Sequence, residues 1–193
     1  LGQSIHGVPD LPDYAGVGFA GVSNEWRYVL APRSGPWSVQ ATVTAAPEWS
    51  RLGEGGVRGQ EFALPLLFIL EAQPIARRLY AALNLSYAPE IARSDGEPWS
   101  RGSTLAASAA LSWRLTPDAM IGGEADLTNV FDGLAAQNWR GSALFLGPTF
   151  HYQVRENVDL SGAWTQQIGG WPHGPNLAEF TRSQARLRLE IDF

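Results

Sequence analysis

The chain has no cysteine, so it can form neither a disulfide nor a thiolate metal site. Lysine is absent too: all 14 basic residues are arginine. Codon bias in a GC-rich genome accounts for this. The sharper reading is that guanidinium groups suit a polar cavity, where they stay charged and bind carboxylates bidentately. No apolar run approaches the roughly 18 residues of a membrane-spanning helix. The longest, Ala63 to Leu70, has the length of a strand. A formal net charge of -5 argues against nucleic acid as a partner. The 3 histidines, His6, His151 and His173, lack metal-ligand spacing. Gly53, Gly55 and Gly56 lie in an acidic hairpin loop and form no phosphate-binding pattern. No metal or cofactor is therefore expected. No signal peptide is visible and the chain starts at Leu1, as an exported protein would after processing or truncation.

What is present is alternation. From the last residue backward, Phe193, Ile191, Leu189, Leu187 and Ala185 point one way. Asp192, Glu190, Arg188, Arg186, Gln184 and Arg182 point the other. Period two means a strand with one apolar and one polar face. A transmembrane barrel needs that division, with lipid outside and a wet lumen inside. This ending resembles the C-terminal signature of Gram-negative outer-membrane β-barrel proteins, in which a last strand closing on Phe is read by the insertion machinery.

About nine strands are expected, most long enough for the 9–11 or so residues that cross a bilayer. They are Gly16–Leu30, Trp37–Trp49, Phe62–Glu71, Leu79–Glu90, Thr104–Leu115, Met120–Thr128, Ala143–Arg155, Val158–Ile168 and Phe180–Phe193. In the fifth, Leu105, Ala107, Ala109, Leu111 and Trp113 oppose Thr104, Ser108, Ser112 and Arg114. The second, fourth, sixth and seventh divide in the same way. The third is apolar on both faces and holds Pro65, which suggests a bulge and leaves its register open.

The connections alternate between short turns and longer loops near 50–61, 91–103, 129–142 and 169–179. Bacterial barrels sort them this way, short turns periplasmic and long loops extracellular. An immunoglobulin-like sandwich or a lipocalin is the competing soluble fold. Aromatics are expected in two interfacial belts. Trp26, Tyr28, Trp37, Trp113, Tyr152 and Phe193 fall to the short-turn belt, and Trp49, Tyr87, Trp99, Trp139, Trp164 and Trp171 to the long-loop belt.

Bacterial single-chain barrels have even strand counts. An odd count implies that at least one N-terminal strand is missing or supplied by a partner, with residues 1–15 as an extracellular loop. The alternative is that one strand has been split or merged. The chain also resembles uncharacterised alphaproteobacterial outer-membrane barrels near the "MetA-pathway of phenol degradation" transporter family. The matching stretches include His6-Gly7-Val8-Pro9, Ala46-Pro47-Glu48-Trp49, Asn84-Leu85-Ser86-Tyr87-Ala88-Pro89-Glu90, Leu146-Gly147-Pro148-Thr149 and Phe180-Thr181-Arg182-Ser183-Gln184-Ala185-Arg186-Leu187. That resemblance implies about three further strands, hence an all-β, antiparallel, up-and-down transmembrane barrel of about twelve. It implies no catalytic residues.

The expected lumen-lining residues are Arg27, Glu48, Glu90, Arg114, Glu124, Asp126, His151, Arg182, Arg186, Arg188 and Glu190. Ala-Pro-Glu occurs at Ala46-Pro47-Glu48 and Ala88-Pro89-Glu90. It reads either as two lumen carboxylates near the outer mouth, or as Pro ending each strand with Glu paired to Arg. His151 beside Glu124 and Asp126 could serve a hydrolase. Ser161 is the nearest nucleophile by strand adjacency, but nothing marks it, and no enzyme is expected. The expected function is a passive outer-membrane channel or transporter for small molecules. The alternative is a structural or assembly component without an open pore. Expected partners are membrane lipid, small solutes and another outer-membrane or periplasmic protein.

Overall fold

The computed structural model describes residues 2–5, 14–17, 21–52, 58–94, 96–172, 174–177 and 179–191. Leu1, His6, Gly53, Gly55, Gly56, His173, Asp192 and Phe193 lie outside the described residues. No helix among them is long and apolar enough to cross a membrane. A short ribbon comes first: β1 (Gly2–Ile5) pairs antiparallel with β2 (Tyr14–Val17) and with no other described strand. The segment 1–15, expected as loop, thus contributes to a small separate sheet.

Everything else forms one antiparallel sheet of 12 strands. In order these are β3 (Gly21–Ser23), β4 (Trp26–Ser34), β5 (Val39–Ala45), β6 (Glu48–Leu52), β7 (Arg58–Ala63), β8 (Leu66–Ile75), β9 (Leu79–Ser94), β10 (Ser100–Arg114), β11 (Ala119–Asp132), β12 (Gln137–Arg155), β13 (Val158–Trp171) and β14 (Ser183–Ile191). Three consecutive pairs are halves of one run. β5 breaks from β6 at Ala46–Pro47, and β7 from β8 at Leu64–Pro65, because Pro has no N–H for the ladder. β3 breaks from β4 opposite Pro47. Hydrogen bonds carry the sheet across each break: Asn24 N–H to Pro47 O at 3.1 Å, Ala46 N–H to Pro65 O at 2.9 Å, and Leu64 N–H to Pro89 O at 3.0 Å. β9 accordingly pairs with both β7 and β8. The 12 strands therefore make nine runs, the number that the alternation implies.

The register assigns the faces. On β10, Leu111 is 57% exposed and Trp113 40%, whereas Ser108, Ser112 and Arg114 are only partly exposed. Leu85, Ile121, Leu146, Trp164 and Leu187 are likewise exposed. The buried residues on the other face include Thr42, Thr44, Thr165 and Gln167. Ala143 and Phe145 are the only buried hydrophobic residues among those described. The third expected strand, left without a register, resolves: Leu67 and Ile69 face the polar side, opposite Ser86 and Asn84.

The sheet is strongly curved, polar side in. Glu124 on β11 and Arg186 on β14 form an ion pair, although three strand spacings on a flat sheet are about 14 Å. Gly147 allows close strand approach, since a Cβ there would run into the Trp164 carbonyl oxygen. The sheet is nevertheless an open trough. Its edges are the β3–β4 run and β14, which do not pair with each other. Nine runs alternating in direction leave β4 and β14 pointing the same way, so a direct seam between them would be parallel.

The sorted connections come out differently from the expectation. β9 to β12 extend into many of the residues expected as loops, leaving 96–99 and 133–136 as tips among the described residues. Among the described residues, the longest connection at that end lies between β13 and β14 and comprises 172, 174–177 and 179–182. The belts hold in part. Trp37, Trp113 and Tyr152 lie near the short-turn end and Trp49, Trp99, Trp139 and Trp171 near the other. Tyr28, Tyr87 and Trp164 stand mid-strand, and Trp26 lies nearer the long-loop end than the short-turn end. The broken first run displaced the count for Trp26 and Tyr28.

Candidate functional site

Alternation along β10 to β14 delivers the charged side chains to the concave face. One register row holds Ser112, Gly122, Thr149, Ala163 and Arg186; the next toward the short-turn end holds Arg114, Met120, His151, Ser161 and Arg188. Gly122 and Ala163 leave room for the long Arg186 side chain to reach across the trough.

The charged contacts on this face include two arginine–carboxylate pairs and one histidine–carboxylate contact among β11 to β14. Arg186 Nη2 donates to Glu124 Oε1; the Glu124 side chain is 13% exposed and that of Arg186 66%. His151 Nε2 stands 3.2 Å from Asp159 Oδ1. Arg188 Nη2 stands 3.0 Å from Glu190 Oε2 on its own strand. Arg114 makes no such pair: its guanidinium carbon sits 5.3 Å from the centre of the Tyr80 ring, and its Nε is buried without a hydrogen-bond partner. The aromatic face stands where a carboxylate could have been. Beside Asp126, Asn84 Nδ2 donates to Ser108 Oγ at 3.3 Å.

Two recesses open on this charged face. One of about 520 Å³ is walled by Glu124, His151, Ser161, Arg186 and Arg188. The other, about 270 Å³, runs from Leu67, Asn84 and Ser108 to Asp126, Phe145 and Arg186. Contact of β8 and β14 residues with one recess reflects the curvature. A third hollow, about 750 Å³, is apolar and lies on the convex face between Trp26, Tyr28, Phe68 and Tyr87.

Residues 10–193 match the model of a family of unknown function, DUF6662. The chain belongs to that family. No curated protein and no solved structure shows a significant match to it.

In this DUF6662 chain the expected lumen residues divide. Glu124, Asp126 and Arg186 come together, with His151, Arg188 and Glu190 below them toward the short-turn end. Arg27 faces the same side but sits on the edge strand, 3.2 Å from Glu25 and well exposed. Glu48 and Glu90 share a row with Ala63 between them, so their backbones are about 10 Å apart. Pro47 ends β5, as the structural reading of Ala-Pro-Glu has it; Pro89 does not end β9, which runs on to Ser94. Arg182 lies just before β14 but keeps its register, one rung beyond the Gln166–Ser183 pair, and its carbonyl accepts from Gln167 N–H at 3.0 Å. Ser161 is the register partner of His151, but His151 turns to Asp159 on β13 rather than to Glu124 or Asp126.

Sequence reasoning missed Asp159, although its alternation with Ser161 marks it as inward. It also missed the apolar plug. Phe145, 2% exposed, faces the trough and packs edge-on against Phe180 at 6.4 Å between ring centres. Phe180 belongs to the 172–182 connection, which is tied down by Asn176 Nδ2 to Trp171 O at 3.2 Å and by Arg140 Nη2 to Glu179 Oε1 at 2.8 Å. An inward Phe breaks the polar pattern, and only the folded connection shows what covers it.

Proposed function

We propose that the chain forms most of the wall of an outer-membrane β-barrel that passes small solutes through a polar lumen, without a cofactor. One observation carries this reading: the apolar rows are the exposed face and the polar rows the enclosed one. Leu111, Leu146, Trp164 and Leu187 are each half-exposed or more, at 57, 50, 53 and 74%. A sandwich or lipocalin requires the reverse, apolar rows meeting across a dry centre. Contiguous apolar surface on this scale needs a non-aqueous neighbour. Lipid fits rows that continue across the sheet from β4 to β14.

An open sheet in lipid would leave unpaired backbone groups at several kcal/mol each. Closure therefore needs further strands. Since β4 and β14 run parallel, an all-antiparallel seam takes an odd number of them. The three implied by the resemblance to the barrels near the "MetA-pathway of phenol degradation" family satisfy this parity.

A second reading, a structural outer-membrane component without an open pore, has its own support: Phe145, Phe180 and the 172–182 connection fill part of the concave side. Planar-bilayer recording on the natural full-length protein separates the two. Discrete conductance steps support the channel; stable insertion without current supports the structural role. Recovery in the aqueous fraction after detergent-free extraction refutes both.

A further inference from the structure

We propose that the recess between Asp126 and Arg186 binds a small zwitterion carrying an apolar side chain, such as a free neutral α-amino acid. The inference rests on the channel reading, because it names the class of solute that would pause in the lumen.

The recess presents both signs of charge at once. Arg186 lines it and the larger recess below, so its guanidinium spans the boundary between them. Glu124 takes one Arg186 nitrogen, and a guanidinium has further N–H donors for a carboxylate. Asp126 lines the recess with Ser108 as a side-chain hydrogen-bond partner and Arg186 within Coulombic reach, and makes no ion pair at contact distance among the described residues. Its carboxylate keeps acceptor positions for an ammonium group. Asn84 and Ser108, already bonded to each other at 3.3 Å, add a hydroxyl and an amide beside that carboxylate. Leu67 and Phe145 supply an apolar wall on an otherwise polar face. A purely ionic ligand has no use for that wall, and an apolar one has none for Asp126 and Arg186. At about 270 Å³ the space suits a small molecule and not a peptide or sugar chain. A monoanion would leave Asp126 facing it with like charge, and a monocation would leave the remaining Arg186 N–H donors without an acceptor.

The test uses the natural full-length protein in detergent micelles and three probes of one skeleton: leucine, leucinamide and 4-methylpentanoate. Calorimetric titration should give leucine an affinity at least about fivefold above either singly charged analogue. Asp126→Asn should weaken leucine by about fivefold and leave 4-methylpentanoate unweakened. Heat-modifiable mobility checks that the variant folds; if it does not, the three-probe comparison on the natural sequence decides alone. Equal binding of the three probes overturns the inference, as does an Asp126→Asn variant that is folded and binds leucine normally. Bilayer recording is read separately. Conductance without leucine selectivity sinks this site and leaves the channel standing. Leucine selectivity in a silent protein sinks the channel and leaves the site.

Discussion

Replacing one outward leucine with arginine tests the facing assignment most directly. Leu85 on β9 is outward, in register with Phe68 and Ala107, and 47% exposed. From Leu79, at the short-turn end of β9, to Leu85 is about 20 Å along the strand at about 3.3 Å per residue. In the proposed barrel, a strand tilt of about 40° makes that about 15 Å of height, near the middle of an apolar band about 25 Å tall. Arginine at the midplane costs about 2–4 kcal/mol and near an interface about 0–1. Leu111, two residues before Trp113, the register partner of Leu79, stands at about 5 Å on the same baseline, close to the end of β10 at Arg114. Leu85→Arg should therefore cost about 3 kcal/mol, Leu111→Arg about 1.5, and the inward Ser112→Arg close to nothing. The first figure is about two orders of magnitude in the folding equilibrium. Refolding of the full-length protein from urea into lipid vesicles, read by heat-modifiable electrophoretic mobility, measures the series. If Leu85→Arg is harmless, or Ser112→Arg does equal damage, the two faces have been assigned to the wrong solvents.

Gly147→Ala should lower stability by about 2 kcal/mol or more in vesicle refolding, because the new methyl meets the Trp164 carbonyl; Gly169→Ala, with nothing within 4 Å of its Cβ, should be near neutral. The Arg186–Glu124 pair should respond asymmetrically in urea unfolding. Arg186→Gln leaves a mostly buried carboxylate without its cation and should cost about 2 kcal/mol, whereas Glu124→Gln leaves an exposed guanidinium in water and should cost about 1 or less. Equal costs would show that the pair is screened by lumen water.

Much of the wall was legible because a strand's period is two. Leu105, Leu111 and Trp113 declare an outward row, and Ser108, Ser112 and Arg114 an inward one, without reference to any neighbour. The nine runs and their direction follow from the same local rule, as does the parity of the edges. Single-strand patterns carry no information across the sheet. The partner of His151 is Asp159 and not the carboxylates of β11, because the register of β12 on β13 decides it. By contrast, Arg182 reads as the next rung of the β14 ladder, and its carbonyl does accept from Gln167 N–H one step beyond the Gln166–Ser183 pair.

By itself the sequence determined which side of each strand is apolar, since side-chain direction follows from backbone geometry alone. Only the tertiary structure decided which of those sides is enclosed, how far the sheet curls, and hence that Arg186 reaches Glu124 across the trough and stands with Asp126 around one recess. Those contacts join residues many positions apart, and their distances depend on curvature and register, which are properties of the whole sheet and of no one strand.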